Sequence, residues 1–504
     1  MKASLGERPL GAILGVLITL GAALFGAGCT VGPNYHLPES NPPGEWSEAA
    51  SGGEAERSAS LAAWWKNFSD AELDSLVERA LSSNLDLRIA RARVREARAE
   101  RGVASAGLWP RVDASGSYAR ARESANQPLL GALLPPGVPL ENNVYQAGFD
   151  ASWELDVFGG TRRAVEAADA EIAAAVYGRE DVRVTLIAEV ARRYVEARGF
   201  QERLSIAQAN IEAQQDAVAL ARDRFQHGLT SNLDAEQAAT VLSQTEARVP
   251  TLEAGIKTSI HRLGVLLGQP PGALLAELET AAPIPAALPN VPVGLPSELL
   301  RRRPDIRVAE RELAAATARI GVATAELFPK FSLTGAAGFE SVSASDWFTA
   351  GSRFWSVGPT VQWRIFDAGR IRANIHVRNA RQEQALAAYE KTVLTSFEDV
   401  ENALVAYAKE KTRNLALEEA VRRSRNSLRI ARERYANGVT NFIDVLDAER
   451  SLYGAQDDLV RSRQEVSQDV IALYKALGGG WEGAAPDFDP SRTAEATEKS
   501  EEGR

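Results

Sequence analysis

The chain has 504 residues, of which 25% are charged and 45% apolar, the balance of an ordinary globular protein. Its net charge of −10 disfavours a nucleic-acid partner, because phosphate binding needs a basic excess. A single cysteine, Cys29, excludes an internal disulfide and a cysteine-rich metal site. The sequence also has no phosphate-binding glycine loop and no Gly-x-Ser-x-Gly elbow, so we expect neither an enzyme nor a bound cofactor or metal.

Residues 1–28 are predicted to be an export signal, because positively charged residues precede an apolar run over residues 10–25. Small residues then lead to Cys29, and this ending resembles a bacterial lipobox, although Gly26 stands where lipoboxes usually carry leucine. Acylation of Cys29 would hold the mature chain on a membrane. The alternative is an ordinary signal peptide followed by a chance cysteine.

Much of the remaining chain is predicted to be an internal duplication. Leu-Trp-Pro-Arg at residues 108–111 recurs as Leu-Phe-Pro-Lys at 327–330, an offset of 219. Arg-Phe-Gln-His-Gly-Leu-Thr at 224–230 recurs as Arg-Tyr-Ala-Asn-Gly-Val-Thr at 434–440, an offset of 210. In chain order the predicted segments are a signal peptide (1–28), a lipidated N-terminal segment (29–68), a first repeat (69–268), a Pro-rich linker (269–296), a second repeat (297–480) and a disordered tail (481–504).

Each repeat has the pattern of a helix, two strands, a very long helix, a turn and a second long helix. The 68 residues between Gly369 and Gly438 contain no glycine or proline, which predicts one helix there, and the first copy runs from Gly160 to Gly228. We expect the tips of the two helical hairpins near residues 228 and 438. Helices of this length need partners along their length, so coiled-coil packing is expected, and a soluble coiled-coil scaffold is one interpretation.

Four segments alternate apolar and polar residues and are predicted to be strands, at about 112–121, 144–155, 331–340 and 354–366. This alternation fits either half-buried strands of a soluble protein or membrane strands of about 9 to 11 residues. The export signal and the aromatic residues near the strand ends favour membrane strands. Four strands cannot close a barrel, and lipid forbids open sheet edges, so the protein must oligomerise. A dimer would supply about eight strands and a trimer about twelve.

Several motifs resemble those of the outer membrane efflux protein (TolC-like) family, in the lipoprotein branch that serves resistance–nodulation–division pumps. They are Cys29-Thr-Val-Gly-Pro-Asn-Tyr35, Trp64-Trp65 followed by Phe68 and Asp70, and the Leu-Leu-Arg-Arg-Arg-Pro-Asp-Ile run at residues 299–306. The resemblance covers nearly the whole mature chain.

The resemblance implies an α+β membrane protein that is a homotrimer. Each subunit would give four strands to one 12-stranded β-barrel, continuous with a long periplasmic α-helical barrel. The protein would lie in the outer membrane of a Gram-negative bacterium, anchored by a lipid on Cys29, with its helices in the periplasm. A periplasmic adaptor and an inner-membrane transporter are the implied partners, and no nucleic acid is expected.

The resemblance further implies that the hairpin tips contact the adaptor, although glycines near helix ends are by themselves ordinary C-caps. The implied tip residues are Gly228, Leu229, Thr230, Gly438, Val439 and Thr440.

A periplasmic gate is implied at Asp444 and Asp447, which share one helix face because they are three residues apart. In a trimer they would form stacked carboxylate rings whose repulsion favours opening or cation binding. The alternative is a pair of solvated surface acids. Tyr435 matches a tyrosine that helps latch the entrance in some relatives, whereas Thr440 stands where some relatives carry a basic latch residue.

The expected function is therefore the outer-membrane channel of a tripartite efflux pump. It would be a passive exit duct for drugs or other small molecules, gated at its periplasmic end and opened by the adaptor and transporter. A related duct for protein secretion is the nearest alternative.

Overall fold

A computed structural model gives the fold of the chain. It describes residues 30–39, 42–47, 61–122, 124, 140–286, 294 and 296–481. The predicted signal peptide, Cys29 and all but the first residue of the predicted tail lie outside these residues. The described chain forms two compact units. The first unit comprises the described residues within Met1–Leu37, Glu96–Ile172 and Arg311–Ala387, and the second those within Pro38–Arg95, Ala173–Glu310 and Ala388–Arg504.

The elements follow the order predicted for each repeat, with some helices divided in two. Short 3₁₀ turns occur at Leu61–Phe68, Ala344–Asp346 and Ala350–Ser352. The helices and strands are α1 (Ala71–Ser83), α2 (Leu85–Ala106), β1 (Arg111–Arg122), β2 (Glu141–Leu155), α3 (Gly160–Gln226), α4 (Asn232–Glu246), α5 (Val249–Leu266), α6 (Leu275–Leu278), α7 (Pro296–Arg302), α8 (Pro304–Ala325), β3 (Lys330–Ser341), β4 (Arg353–Gln362), α9 (Arg370–Ala436) and α10 (Phe442–Ala476).

The four strands form one antiparallel sheet in which the order in space is the order in the chain. The strands match the predicted ones closely, except that β4 ends at Gln362 rather than at residue 366. The cause is the register: Gln362 pairs with Lys330, the first residue of β3, so later residues have no partner on that strand. Within the described chain, β1 and β4 are open edges.

The two faces of the sheet differ in polarity. On β2 one face carries Tyr145, Phe149 and Trp153, and we call this side, with the residues paired to them, the apolar face. The opposite face carries polar or small residues such as Asp150 and Ser152. Side chains on the apolar face are exposed, with Trp355 at 78%. The sheet therefore leaves a large apolar surface uncovered by the chain itself.

One tryptophan in each repeat ties the sheet to the turn that precedes that repeat's first strand. The Trp153 indole N–H donates to the Leu108 carbonyl at 2.9 Å, and the Trp363 indole N–H donates to the Leu327 carbonyl at 3.0 Å. Because these two bonds occupy equivalent positions, the duplication seen in the sequence extends to side-chain hydrogen bonds.

The long helices have the predicted lengths. Helix α9 spans 67 residues, which confirms the helix expected from the glycine-free and proline-free run, and α3 spans 67 residues as well. Helix α3 continues through Gly199, where an added Cβ would collide with the side chain of Gln464. Among the described residues, no helix has an apolar stretch long enough to cross a membrane.

The second arm of each hairpin differs between the repeats. In the second repeat α10 is one helix of 35 residues, as predicted. In the first repeat the expected single helix is divided into α4 and α5, with Pro250 in the first turn of α5. Proline lacks an N–H and suits a helix start, so it begins a new helix there rather than continuing the old one.

The aromatic motif near the N-terminus forms part of the core of the second unit. Trp64 is almost fully buried and stacks on Tyr474, with ring centroids 5.1 Å apart. Asp70 caps α1 by accepting the backbone N–H groups of Glu72 and Leu73, and it also accepts the Tyr194 hydroxyl at 2.9 Å. These residues therefore join the segment that precedes α1 to α3 and α10.

Candidate functional site at the hairpin tips

Both hairpins end in the same turn. Gly228 and Gly438 adopt left-handed conformations, with φ of +68° and +70°. The Leu229 N–H donates to the Arg224 carbonyl at 2.8 Å, and the Val439 N–H donates to the Arg434 carbonyl at 2.9 Å. This is the Schellman cap that glycine at a helix C-terminus favours. The two tips, residues 227–231 and 437–441, are thus built alike.

Each tip presents one aliphatic side chain to solvent. Leu229 is 67% exposed and Val439 is 64% exposed. Leu233 and Ile443, at the start of the helix that follows each tip, are also exposed. Exposed apolar residues that cluster at the end of an element are typical of a protein-binding surface. The predicted contact of these tips with an adaptor stays a prediction.

A threonine and an aspartate are hydrogen-bonded just beyond each tip. The Thr230 hydroxyl donates to Asp234, and the Thr440 hydroxyl donates to Asp444. Asp234 and Asp444 are related by the offset of 210, a correspondence that sequence reasoning did not use. The same offset relates Asp447 to Gln237, so the second acidic residue belongs to the second repeat alone.

The predicted gate acids, Asp444 and Asp447, both lie on the exposed side of α10. Asp447 pairs loosely with Arg450, at 3.6 Å. Val445 and Leu446 between them are buried in the core of the hairpin ends, so the two carboxylates point away from the packed side of the helix. They are therefore free to face solvent or a neighbouring subunit.

Tyr435 lies inside this core, together with Val445 and Leu446. The Arg224 guanidinium stacks over its ring at 4.5 Å from the centroid and donates to its carbonyl at 3.3 Å. The ring of Phe442 is 5.1 Å away. Burial raises the pKa of Tyr435, with Arg224 acting in the opposite direction, so the hydroxyl is neutral at physiological pH.

Arg224, which the sequence did not single out, is the residue that packs on Tyr435. It lies on α3, in the first repeat, whereas Tyr435 lies on α9, in the second, and their contact joins the two hairpin ends. No local sequence pattern predicts this contact, because the two residues are 211 positions apart in the chain.

An ion pair with one buried partner lies behind the second tip. Arg432 on α9 donates to Glu449 on α10 at 2.7 Å, and the Glu449 side chain is almost completely buried. Burial raises the pKa of Glu449, and the charge of Arg432 opposes that rise. Because the Arg432 side chain is 47% exposed, solvent screens this pair, which links the two arms of the second hairpin.

Comparison with known proteins gives consistent results. The family model for outer membrane efflux proteins matches two stretches of the chain, residues 76–269 and 295–479. The chain is 34% identical to Nodulation protein T of Rhizobium leguminosarum bv. trifolii, over 91% of this chain and 96% of that protein. It is 33% identical to the toluene efflux pump outer membrane protein TtgI of Pseudomonas putida, over 91% of this chain and 97% of that protein. The structure of the outer-membrane channel OprN superposes with a TM-score of 0.83 at 39% identity, covering 90% of this chain and all of that one.

We predict that Arg224→Gln loosens the second tip. A partly buried cation–π contact is worth about 1 kcal/mol, so amide hydrogen exchange at residues 437–445 should become about fivefold faster. Arg434→Gln is the matched control, because Arg434 is the repeat counterpart of Arg224 and is exposed. Equal acceleration in both variants would contradict a specific role for Arg224.

Proposed function

The chain belongs to the outer membrane efflux protein family, and on that premise we propose that it is the outer-membrane channel of a tripartite efflux pump. Members of this family are channel proteins rather than enzymes. In this proposal the chain is a passive exit duct for small molecules, and the energy for transport comes from its partners.

The observation that carries the proposal is the open sheet. Its edge strands β1 and β4 have no partner within the described chain, and its apolar face is exposed. Lipid cannot satisfy free backbone N–H and C=O groups, so the edges must pair with other copies. Two copies would give a barrel of about eight strands, and side chains would fill the interior of a barrel of that size. Three copies give about twelve strands and leave room for a duct, which supports a homotrimer.

Exposed apolar residues on α9 also support assembly. Leu394 and Leu415 point into solvent in the single chain. Long helices are stable when such residues pack between helices, as in coiled coils. In the trimer, helices of neighbouring subunits would cover them and form the wall of a periplasmic α-helical barrel.

The relatives support small molecules as the transported class. TtgI is named for a toluene efflux pump and is similar to this chain over nearly its whole length. We propose that the hairpin tips bind a periplasmic adaptor through Leu229 and Val439, and that an inner-membrane transporter delivers the molecules. Protein secretion has no comparable support among these relatives.

Lipid attachment at Cys29 is part of the proposal, and the residues that follow it support it. The Val31 N–H donates to the Phe158 carbonyl at 3.2 Å, and the Arg163 guanidinium donates to the carbonyl of Val31 at 3.1 Å and to Asn34 at 2.7 Å. This segment is therefore held between the end of β2 and the start of α3. A lipid on Cys29 would start beside the periplasmic end of the strands, where it could enter the inner leaflet of the outer membrane.

The purified protein should run as a detergent-resistant trimer and should give single-channel conductance in planar bilayers. These two properties follow from closing the sheet with three copies, and a soluble coiled-coil scaffold would show neither. Gel filtration with multi-angle light scattering and bilayer recording measure them. A monomer that does not conduct would refute the proposed function.

Replacing both Asp444 and Asp447 by alanine should raise single-channel conductance, by about twofold, or weaken block by divalent cations, because the carboxylate rings that narrow the entrance and bind cations are lost. Asp234→Ala is the matched control, since it removes the repeat counterpart of Asp444 from the other hairpin. If conductance and cation block both stay at the wild-type level in the double variant, the gate assignment is wrong.

Cys29→Ser should abolish metabolic labelling with palmitate, since acylation requires the thiol, while the trimer should still form because the strand edges are unchanged. Labelling is read by autoradiography of the immunoprecipitated protein. Continued labelling of the serine variant would exclude Cys29 as the attachment site.

A further inference from the structure

Three arginines extend the apolar face of the sheet at the end where its strands are joined by loops. Arg120 and Arg122 follow Tyr118 at intervals of two, and Tyr118 pairs with Tyr145 on the apolar face. Arg353 pairs with Phe339, which shares that face through its neighbour Ala147. We call Arg120, Arg122 and Arg353 the arginine group. Arginine at the end of an otherwise apolar face needs an explanation, because it costs free energy in lipid.

The group carries an excess of positive charge. Glu141 is the one acidic residue among the described strand residues on this face, and it pairs with Arg120 at 2.9 Å and Arg122 at 3.5 Å. Arg353 has no ion-pair partner within the part of the chain that the structure describes. The side chains of Arg120 and Arg122 remain 67% and 70% exposed. The arginine group therefore carries more positive charge than this single carboxylate balances, and it can accept further anions.

An aromatic belt begins at Tyr118, two residues before Arg120 on β1 and so one step nearer the middle of that strand. Ring centroids are 4.8 Å apart for Tyr118 and Tyr145, 5.5 Å for Tyr145 and Trp347, and 4.7 Å for Trp347 and Phe348. Phe348 in turn contacts Phe339 at 5.5 Å. Connected tyrosines and tryptophans of this kind mark a membrane–water interface.

The opposite interface is marked by Trp153 and Trp363. Trp153 follows Tyr145 by eight residues on β2, about 26 Å along the strand at roughly 3.3 Å per residue. That length is comparable with the apolar band of outer-membrane barrels, about 25 Å tall. Arg120 and Arg122, which follow Tyr118 toward the end of β1, therefore lie just beyond the apolar band, at the level of lipid headgroups.

We propose that the arginine group binds the phosphate groups of a phosphorylated lipid in the outer leaflet of the membrane. This rests on the proposed function, which puts the helices in the periplasm and hence the loop end of the sheet outside. A guanidinium binds phosphate through two parallel hydrogen bonds and keeps its charge at any physiological pH. Closing the sheet with further copies brings β4 of one copy beside β1 of the next, so Arg353 joins the same ring as Arg120 and Arg122.

The neighbouring belt identifies a lipid rather than free phosphate as the occupant. Acyl chains would lie against the exposed apolar face below the belt, while the phosphates reach the guanidinium groups above it. A soluble anion would use only the second of these contacts. The surface as a whole therefore matches an amphiphile with a multiply charged head.

The test uses the purified full-length protein and lipid A as the probe, either bis-phosphorylated or dephosphorylated, with bound lipid counted by native mass spectrometry. Wild type should prefer the phosphorylated form by about tenfold. Arg120→Gln/Arg122→Gln/Arg353→Gln should abolish that preference, and Arg353→Gln alone, which breaks no ion pair among the described residues, should reduce it.

The matched control is Arg111→Gln/Lys330→Gln/Arg364→Gln, which removes the same charge from the helix end of the sheet and should keep the preference. Preference retained in the arginine-group variant, or absent in wild type, overturns the proposal. Displacement of lipid A by inorganic phosphate at equal concentration also overturns it, because the surface would then bind only the ion. Conductance is recorded in parallel: a wild-type protein that conducts without lipid preference refutes this inference alone, whereas one that does not conduct refutes the proposed function.

Discussion

Unpaired backbone groups at the edges of the sheet are the constraint on which the rest of this protein depends. Strands β1 and β4 each expose a row of N–H and C=O groups, and hydrocarbon offers those groups no partner. A single chain therefore cannot cross a membrane by itself. Oligomerisation is therefore a condition for the strands to enter lipid at all. The exposed apolar face and the exposed leucines of α9 are surfaces that lipid and neighbouring subunits would cover.

The duplication gives the chain two nearly equivalent halves, and these differ at residues of the proposed gate. Both halves share the glycine-capped tip, the threonine–aspartate bond and the tryptophan that ties the sheet to a turn. They differ where Asp447 corresponds to Gln237 and where Tyr435 corresponds to Phe225. Asp444, Asp447 and Tyr435 therefore all lie in the second hairpin of each subunit. In the proposed trimer this arrangement would give a threefold entrance rather than a sixfold one.

In the proposed channel the strands of the sheet would cross the membrane, with different kinds of side chain at their two ends. At its helix end, Trp153 and Trp363 form one aromatic level, and the segment after Cys29 is hydrogen-bonded close by. At its loop end, a second aromatic level is followed by the arginine group. An acyl anchor and a phosphate-binding surface at opposite ends would fix the depth of the strands from both sides, each through a different part of a lipid.

The sequence by itself determined the duplication, the positions of the four strands, the two 67-residue helices and the glycine caps of the tips, because each is written as a local pattern or a fixed offset. It did not determine that the second arm of the first hairpin divides at Pro250. A single proline there is compatible with one kinked helix or with the start of a new helix. Only the tertiary structure decided that Tyr435 lies under Arg224, that Glu449 is buried against Arg432, and that Arg353 shares a face with Arg120. Those contacts depend on the packing of helices and on strand register between residues far apart in the chain, and neither leaves a signature in the sequence around any one of them.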